Sequence, residues 1–115
     1  MFSDPKVQSV FEEYETRAKR EKDLMGREGF EGRDKCLLPV GLDVGRFLHS
    51  LILARKPKRI LEVGTSYGYS TLFLADAART INAKVITLEL ADYKQDHAKD
   101  KLHTAGLSGH LDFRL

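Results

Sequence analysis

Apolar and polar positions alternate along the chain with two different periods, and the change of period marks the elements. Val7, Val10, Phe11, Tyr14 and Ala18 recur at helical spacing and make one narrow apolar stripe. Asp4 is suited to cap that helix and Pro5 to its first position. The rest of the segment mixes Glu with Lys and Arg and predicts a solvated face. The stretch from Met25 to Lys35, "MGREGFEGRDK", has three glycines among charges and predicts a loop. A second helix is predicted over residues 41–55, with Val44, Phe47, Leu48 and Leu51 as its core face and Pro57 as its stop.

Beyond Pro57 the apolar residues become contiguous. Arg59 to Val63 and "KVITLEL", Lys84 to Leu90, predict two strands, and "HLDFRL" a third. Between the first two, Ser70 to Arg79 predicts a helix. Between the second and third, a helix is expected to start with Asp92 as N-cap and Gln95 closing a capping box, and to stop at Gly106. Strands alternating with helices predict right-handed crossovers and a parallel α/β sheet.

Composition narrows the function classes. The 115 residues suit one domain, with 42% hydrophobic and 31% charged residues. A net charge of +2 argues for neither nucleic acid nor an anionic membrane as partner. No apolar run approaches the roughly 20 residues of a membrane span, and the N-terminus lacks the apolar core of a signal peptide. Cys36 is the only cysteine and predicts a plain thiol; a reducing, cytoplasmic compartment fits it. His49, His97, His103 and His110 have no ligand spacing and predict surface residues, and Asp92, Asp96 and Asp100 a solvated helix face, so no metal site is expected here.

The chemistry concentrates in "RILEVGTSYGYSTLFLADAAR". In a parallel α/β sheet, ligands bind beyond the carboxyl ends of the strands, where Gly64 falls. Glycine there allows a turn and lets a ligand approach the backbone; Gly68 reopens the backbone before the helix, whose first amides are free to face a ligand. A glycine after a strand also serves a purely structural turn. A Walker loop needs Gly-Lys-Ser/Thr, whereas Gly68 precedes Tyr69 and Ser70. A dinucleotide fingerprint needs glycine where Ser66 and Tyr69 stand. Glu62 favours S-adenosylmethionine: a carboxylate inside a buried strand requires a partner, would repel a pyrophosphate and would attract an ammonium and a sulfonium. A structural ion pair with Lys or Arg is the alternative for Glu62. Glu89 suits both ribose hydroxyls of either an NAD or an S-adenosylmethionine nucleoside. Ser70 suits the methionine carboxylate or a simple N-cap, and Ser66 and Tyr67 line the turn.

"LPVGLDVGRFL", "RILEVGTSYGYSTLFLA", "KVITLEL" and "AGLSGHLDFRL", in that order, resemble the class I S-adenosylmethionine-dependent O-methyltransferases, the catechol and caffeoyl-CoA group in particular. The resemblance covers residues 38–115. It implies a Rossmann-like methyltransferase fold with only about three parallel strands of the family's seven, preceded by a charged helix and loop over residues 1–37. It also implies that Val40, Gly41, Glu62, Gly64, Ser66, Gly68 and Ser70 hold the methionine end of the cofactor, and Glu89 the ribose. The family's adenine pocket, divalent-metal acids and catalytic base fall in the missing part, so no catalytic residue is assigned. The implied reaction is attack of a small-molecule acceptor's hydroxyl oxygen on the sulfonium methyl. A noncatalytic nucleoside-binding or self-associating half-domain is the alternative, and an NAD-binding module a third. With both crossover helices on one face of the sheet, the other face is expected to be bare and apolar, a surface for self-association unless the N-terminal helix swings across it.

Overall fold

A computed structural model describes residues 2–115. Helix α1 spans Pro5–Met25, α2 Leu42–Arg55, α3 Tyr69–Ile81 and α4 Asp92–Thr104; strands are β1 Arg59–Val63, β2 Lys84–Leu88 and β3 Leu111–Arg114. The strands pair in parallel in the order β1-β2-β3, as the alternation of periods predicts. Asp4 caps α1 through Lys6 N at 2.8 Å, with Pro5 in the first turn. Gly106, at φ +78°, follows the end of α4, where Leu107 N bonds Leu102 O at 2.9 Å.

The pleat sorts the side chains into two faces. Ile60, Val85 and Leu111 lie in one register row and Glu62, Thr87 and Phe113 in another, both facing the helices. Against them pack Leu72, Phe73, Ala98, Leu102 and the α1 stripe of Val7, Val10, Phe11 and Tyr14 in one buried core. The other face carries Leu61, Val63, Ile86 and Leu88 from β1 and β2, with Leu61 64% and Val63 79% exposed, and the ion-paired Asp112 and Arg114 from β3. The bare face is therefore the one expected. The N-terminal helix does not cross it, because α1 packs on α3 and α4 in the helix layer.

Several expectations are corrected. The predicted core face of α2 lies outward: Val44, Phe47 and Leu51 are exposed, while Gly45 and Ile52 are buried and Leu48 half-buried. The helix is apolar on most of its circumference, so periodicity could not choose a side. Gly45 chooses it, since a Cβ there would stand 2.7 Å from the buried Phe73 ring. The helix packs at its smallest residue. Asp92 is not the cap of α4: Ala91 takes that place with no side-chain bond, and Gln95 is buried with Nε2 donating to Arg114 O at 2.7 Å. The polar side of α1 is not wholly solvated, because Glu21 is buried and accepts from Leu37 N at 2.7 Å. Nor are all the histidines on the surface. His49 Nε2 donates to Asp76 at 2.8 Å, and Asp76 and Asp4 share Arg79, which ties the start of α1 to α3. Cys36 is a buried thiol whose Sγ lies 3.5 Å from Gly32 O.

Replacing both Leu61 and Val63 by Lys is expected to reduce binding of an apolar-surface dye while changing unfolding free energy by no more than about 0.5 kcal/mol, the range of exposed substitutions. Urea unfolding checks this; a loss of core size would mean that the face is covered in solution.

Candidate functional site

β1 ends at Val63, and the chain then turns back on itself through three left-handed residues: Gly64 at φ +92°, Ser66 at +51° and Gly68 at +97°. For Ser66 that conformation is strained. The bonds that hold it are visible. Gly64 N and Thr65 N both donate to Leu88 O, at 2.8 and 3.0 Å, and Gly68 N donates to Thr65 O at 3.0 Å. Ser66 N donates to Glu89 Oε1 at 2.7 Å, and Ala91 N to Glu89 Oε2 at 3.0 Å. The turn is thus pinned to the end of β2 and to the acid that follows it.

The amides of Gly64, Thr65, Ser66 and Gly68 are already used within the protein, and the first-turn amides of α3, from Tyr69 to Thr71, remain as donors for a ligand. The two glycines also differ. A Cβ on Gly64 would meet nothing within 4 Å, so Gly64 borders open space. A Cβ on Gly68 would stand 2.7 Å from Tyr14 Oη and 3.0 Å from Ala98 and Leu102, so Gly68 is held against α1 and α4.

Glu62 lies in the helix-facing row of β1, half-buried, and its partners are hydroxyls. Ser70 Oγ donates to Oε2 at 2.6 Å, Thr87 Oγ1 to Oε1 at 2.7 Å, and Thr71 Oγ1 also to Oε1. Because Thr87 spends its proton on Glu62, the buried Thr65 hydroxyl must donate to Thr87. Among the described residues neither Glu62 nor Glu89 has a Lys, Arg or His within ion-pair distance. The alternative of a basic partner for Glu62 is therefore not what the fold uses. Ser70 is not an N-cap either: Gly68 takes that position, and the Ser70 hydroxyl is committed to Glu62.

Facing the turn is the segment before α2. Leu37, Leu38, Pro39 and Val40 form one wall and Gly64 to Tyr67, Tyr69 and Ser70 the other, around a cleft of about 110 Å³. Of the residues singled out in the sequence, Val40, Gly64, Ser66 and Ser70 line this cleft. Glu62 stands behind Ser70, and Glu89 is joined through Ser66 N. Gly41, at φ +94°, starts α2 beside Val40, and Gly68 belongs to the packing behind the turn. Sequence reasoning missed Leu37, Leu38, Thr65, Thr71 and Thr87. Thr71 and Thr87 had a legible signal, since a carboxylate within a buried strand requires donors on its neighbours. Among the described residues no three His, Cys, Asp or Glu side chains converge as a metal site.

A parallel sheet with a glycine turn at one strand end and an acid beyond the next defines a Rossmann-like domain of the nucleoside-binding type. The chain belongs to the O-methyltransferase family, whose model matches residues 27–115. It is 35% identical over 77 residues to a catechol O-methyltransferase of Niastella koreensis, covering 67% of this chain and 34% of that protein. A catechol O-methyltransferase of Mycobacterium tuberculosis is 33% identical over 75 residues, covering 65% and 34%. Among solved structures, the O-methyltransferase TomG of Streptomyces achromogenes, in complex with SAM, superposes with a TM-score of 0.68 at 27% identity, over 98% of this chain and 43% of that one. A Bacillus cereus O-methyltransferase in complex with SAH shares the fold with a TM-score of 0.67 at 24% identity, over 99% and 44%. The matched stretch spans only about a third of the length of these curated relatives.

Two outcomes are expected. Thr87→Val removes a donor from Glu62 and the acceptor of Thr65, and should cost about 1–3 kcal/mol in urea unfolding; Thr80→Val, on the exposed side of α3, should be near neutral. Burial first, then Arg17 and Lys101, hold His97 below its ordinary value of 6.5, against the opposing pull of Asp100 and Glu13. The unfolded chain therefore binds the proton more readily, so this contribution to stability is present above pH 6.5 and is lost as pH falls toward the folded value. Melting temperature should accordingly fall less between about pH 7.5 and 5.5 in His97→Gln than in the wild type.

Proposed function

We propose that the cleft takes the methionine end of S-adenosylmethionine and that Glu89 holds its ribose, as the cofactor-binding part of an O-methyltransferase acting on a small-molecule hydroxyl. The observation that carries this reading is the pair of carboxylates, Glu62 and Glu89, without a basic partner beside the glycine turn. Such a site repels a pyrophosphate and attracts an ammonium and a sulfonium. Glu89 accepts two backbone donors and keeps about half of its roughly four acceptor sites for a ribose diol. The α3 amides suit the methionine carboxylate. Family membership and the TomG and catechol O-methyltransferase relatives support the same cofactor and reaction class.

When bound, the cofactor supplies an electrophilic methyl that passes to an acceptor oxygen as the hydroxyl proton leaves. The residues here bind and orient; Glu62 and Glu89 add electrostatic attraction. A second reading, cofactor binding without turnover, is favoured by the size of the cleft. At about 110 Å³ it is smaller than the roughly 300 Å³ at which small-molecule pockets begin, so it encloses one end of the ligand only.

Calorimetric titration with S-adenosylhomocysteine, ATP and NAD tests the proposal. Binding is expected for the first alone. Glu89→Ala should weaken it by about 1.5–3 kcal/mol, the loss of charge-assisted bonds, and Gly64→Val, which puts a branched side chain at φ +92° beside the cleft, should abolish it. Equal binding by both folded variants would misplace the site. With labelled S-adenosylmethionine, magnesium and a catechol panel, the 115-residue chain alone should turn over far below about 1 per second; ordinary rates would exclude the second reading.

A further inference from the structure

Helix α1 lies entirely outside the family match, which begins at residue 27. Its apolar stripe explains why it packs, but not where its polar residues go. Between Tyr14 and Glu21 they reach both walls of the cleft. On the turn side, the buried Tyr14 hydroxyl donates to the Tyr67 carbonyl, Tyr69 Oη donates to Glu15 at 2.7 Å, and the Arg17 guanidinium stacks on the Tyr67 ring with its carbon 4.2 Å from the centroid. On the opposite side, Arg17 Nη2 donates to Lys35 O at 3.0 Å, and Glu21, which accepts from Arg17 Nε at 3.1 Å, takes Leu37 N at 2.7 Å. One side chain, Arg17, therefore touches the turn wall and Lys35, two residues before the other wall, and Glu21 completes the link from it to the segment that carries Leu38 and Val40.

Each wall also contains a non-glycine residue in the left-handed region, Leu38 at φ +45° and Ser66 at +51°. Such residues persist where neighbouring contacts over-determine the backbone. Here several of those contacts come from α1. We propose that α1 is a strut that sets the spacing of the cofactor cleft, with Tyr14 and Arg17 as positioning residues that act on the ligand only through Tyr67 and the 35–37 segment. The inference rests on the cofactor reading above for the ligand that feels the spacing. The strut itself is independent of it. Lys is no substitute for Arg17, because a single ammonium cannot stack on Tyr67 and direct separate N–H groups to Glu21 and Lys35 O.

The test compares Tyr14→Phe, Arg17→Met and Arg17→Lys with Val7→Ala, a packing loss at the far end of α1. S-Adenosylhomocysteine affinity is measured well below every melting temperature, and amide hydrogen exchange is followed at Leu37, Leu38, Val40 and residues 66–68. The strut predicts faster exchange on the turn wall in Tyr14→Phe and on both walls in Arg17→Met, binding weakened by about 10-fold in each, no rescue in Arg17→Lys, and wild-type exchange and affinity in Val7→Ala despite its lower melting temperature. If the wild type binds and the Tyr14 and Arg17 variants match it in affinity and exchange, the strut is overturned and the cofactor reading stands. If the wild type does not bind, the cofactor reading fails and exchange decides the strut alone: acceleration on both walls supports it, and unchanged exchange overturns it. Equal effects from Val7→Ala would reduce α1 to general packing and overturn the inference.

Discussion

A carboxylate on the helix-facing side of a parallel strand must be given donors, and Glu62 receives them from three residues on two other elements. Thr87 comes from β2, directly opposite in register, and Ser70 and Thr71 come from the first turn of α3. Satisfying one half-buried acid therefore fixes where α3 begins relative to β1 and β2. The glycine turn has to span that gap in five residues, which is why three of them are left-handed. The Thr65 hydroxyl closes the same network from within the turn. Among the described residues no buried side-chain polar atom is left without a partner.

The site inherits this arrangement. Because the turn is pinned to Leu88 and Glu89, the ribose-holding acid and the methionine-holding turn of the proposed site move as one body. The remaining freedom lies between that body and the segment before α2, and the polar residues of α1 bridge the two. Among the described residues no base lies within ion-pair distance of Glu62 or Glu89, so their negative charge stands beside the turn.

The bare sheet face has a different origin. Both crossovers step the same way across the sheet, so right-handedness puts α3 and α4 on one side. The side chains on the other side, Leu61, Val63, Ile86 and Leu88, have the apolar character of strands that are buried on both faces in complete parallel sheets. The relatives are about twice as long as this chain. Its exposed strand surface is thus a property of three strands, not of poor patterning.

Sequence alone determined the order and type of the elements, the parallel sheet, the position of the glycine turn and the two acids. Each of these rests on local chemistry: periodicity, proline and glycine punctuation, and the cost of a carboxylate in an apolar run. Tertiary structure decided which face of α2 is buried, because a helix apolar on most of its circumference leaves the choice to its packing partner, and the bulk of Phe73 selects Gly45. It decided that Gln95 serves β3 instead of a helix cap and that Gly68 makes room for Tyr14 instead of for a ligand. It also decided that the polar side of α1 grips both walls of the cleft. Those contacts join residues 16 to 54 positions apart in the chain, as Glu21 to Leu37 and Tyr69 to Glu15. No local pattern encodes a pairing whose partners meet only after the chain has closed on itself.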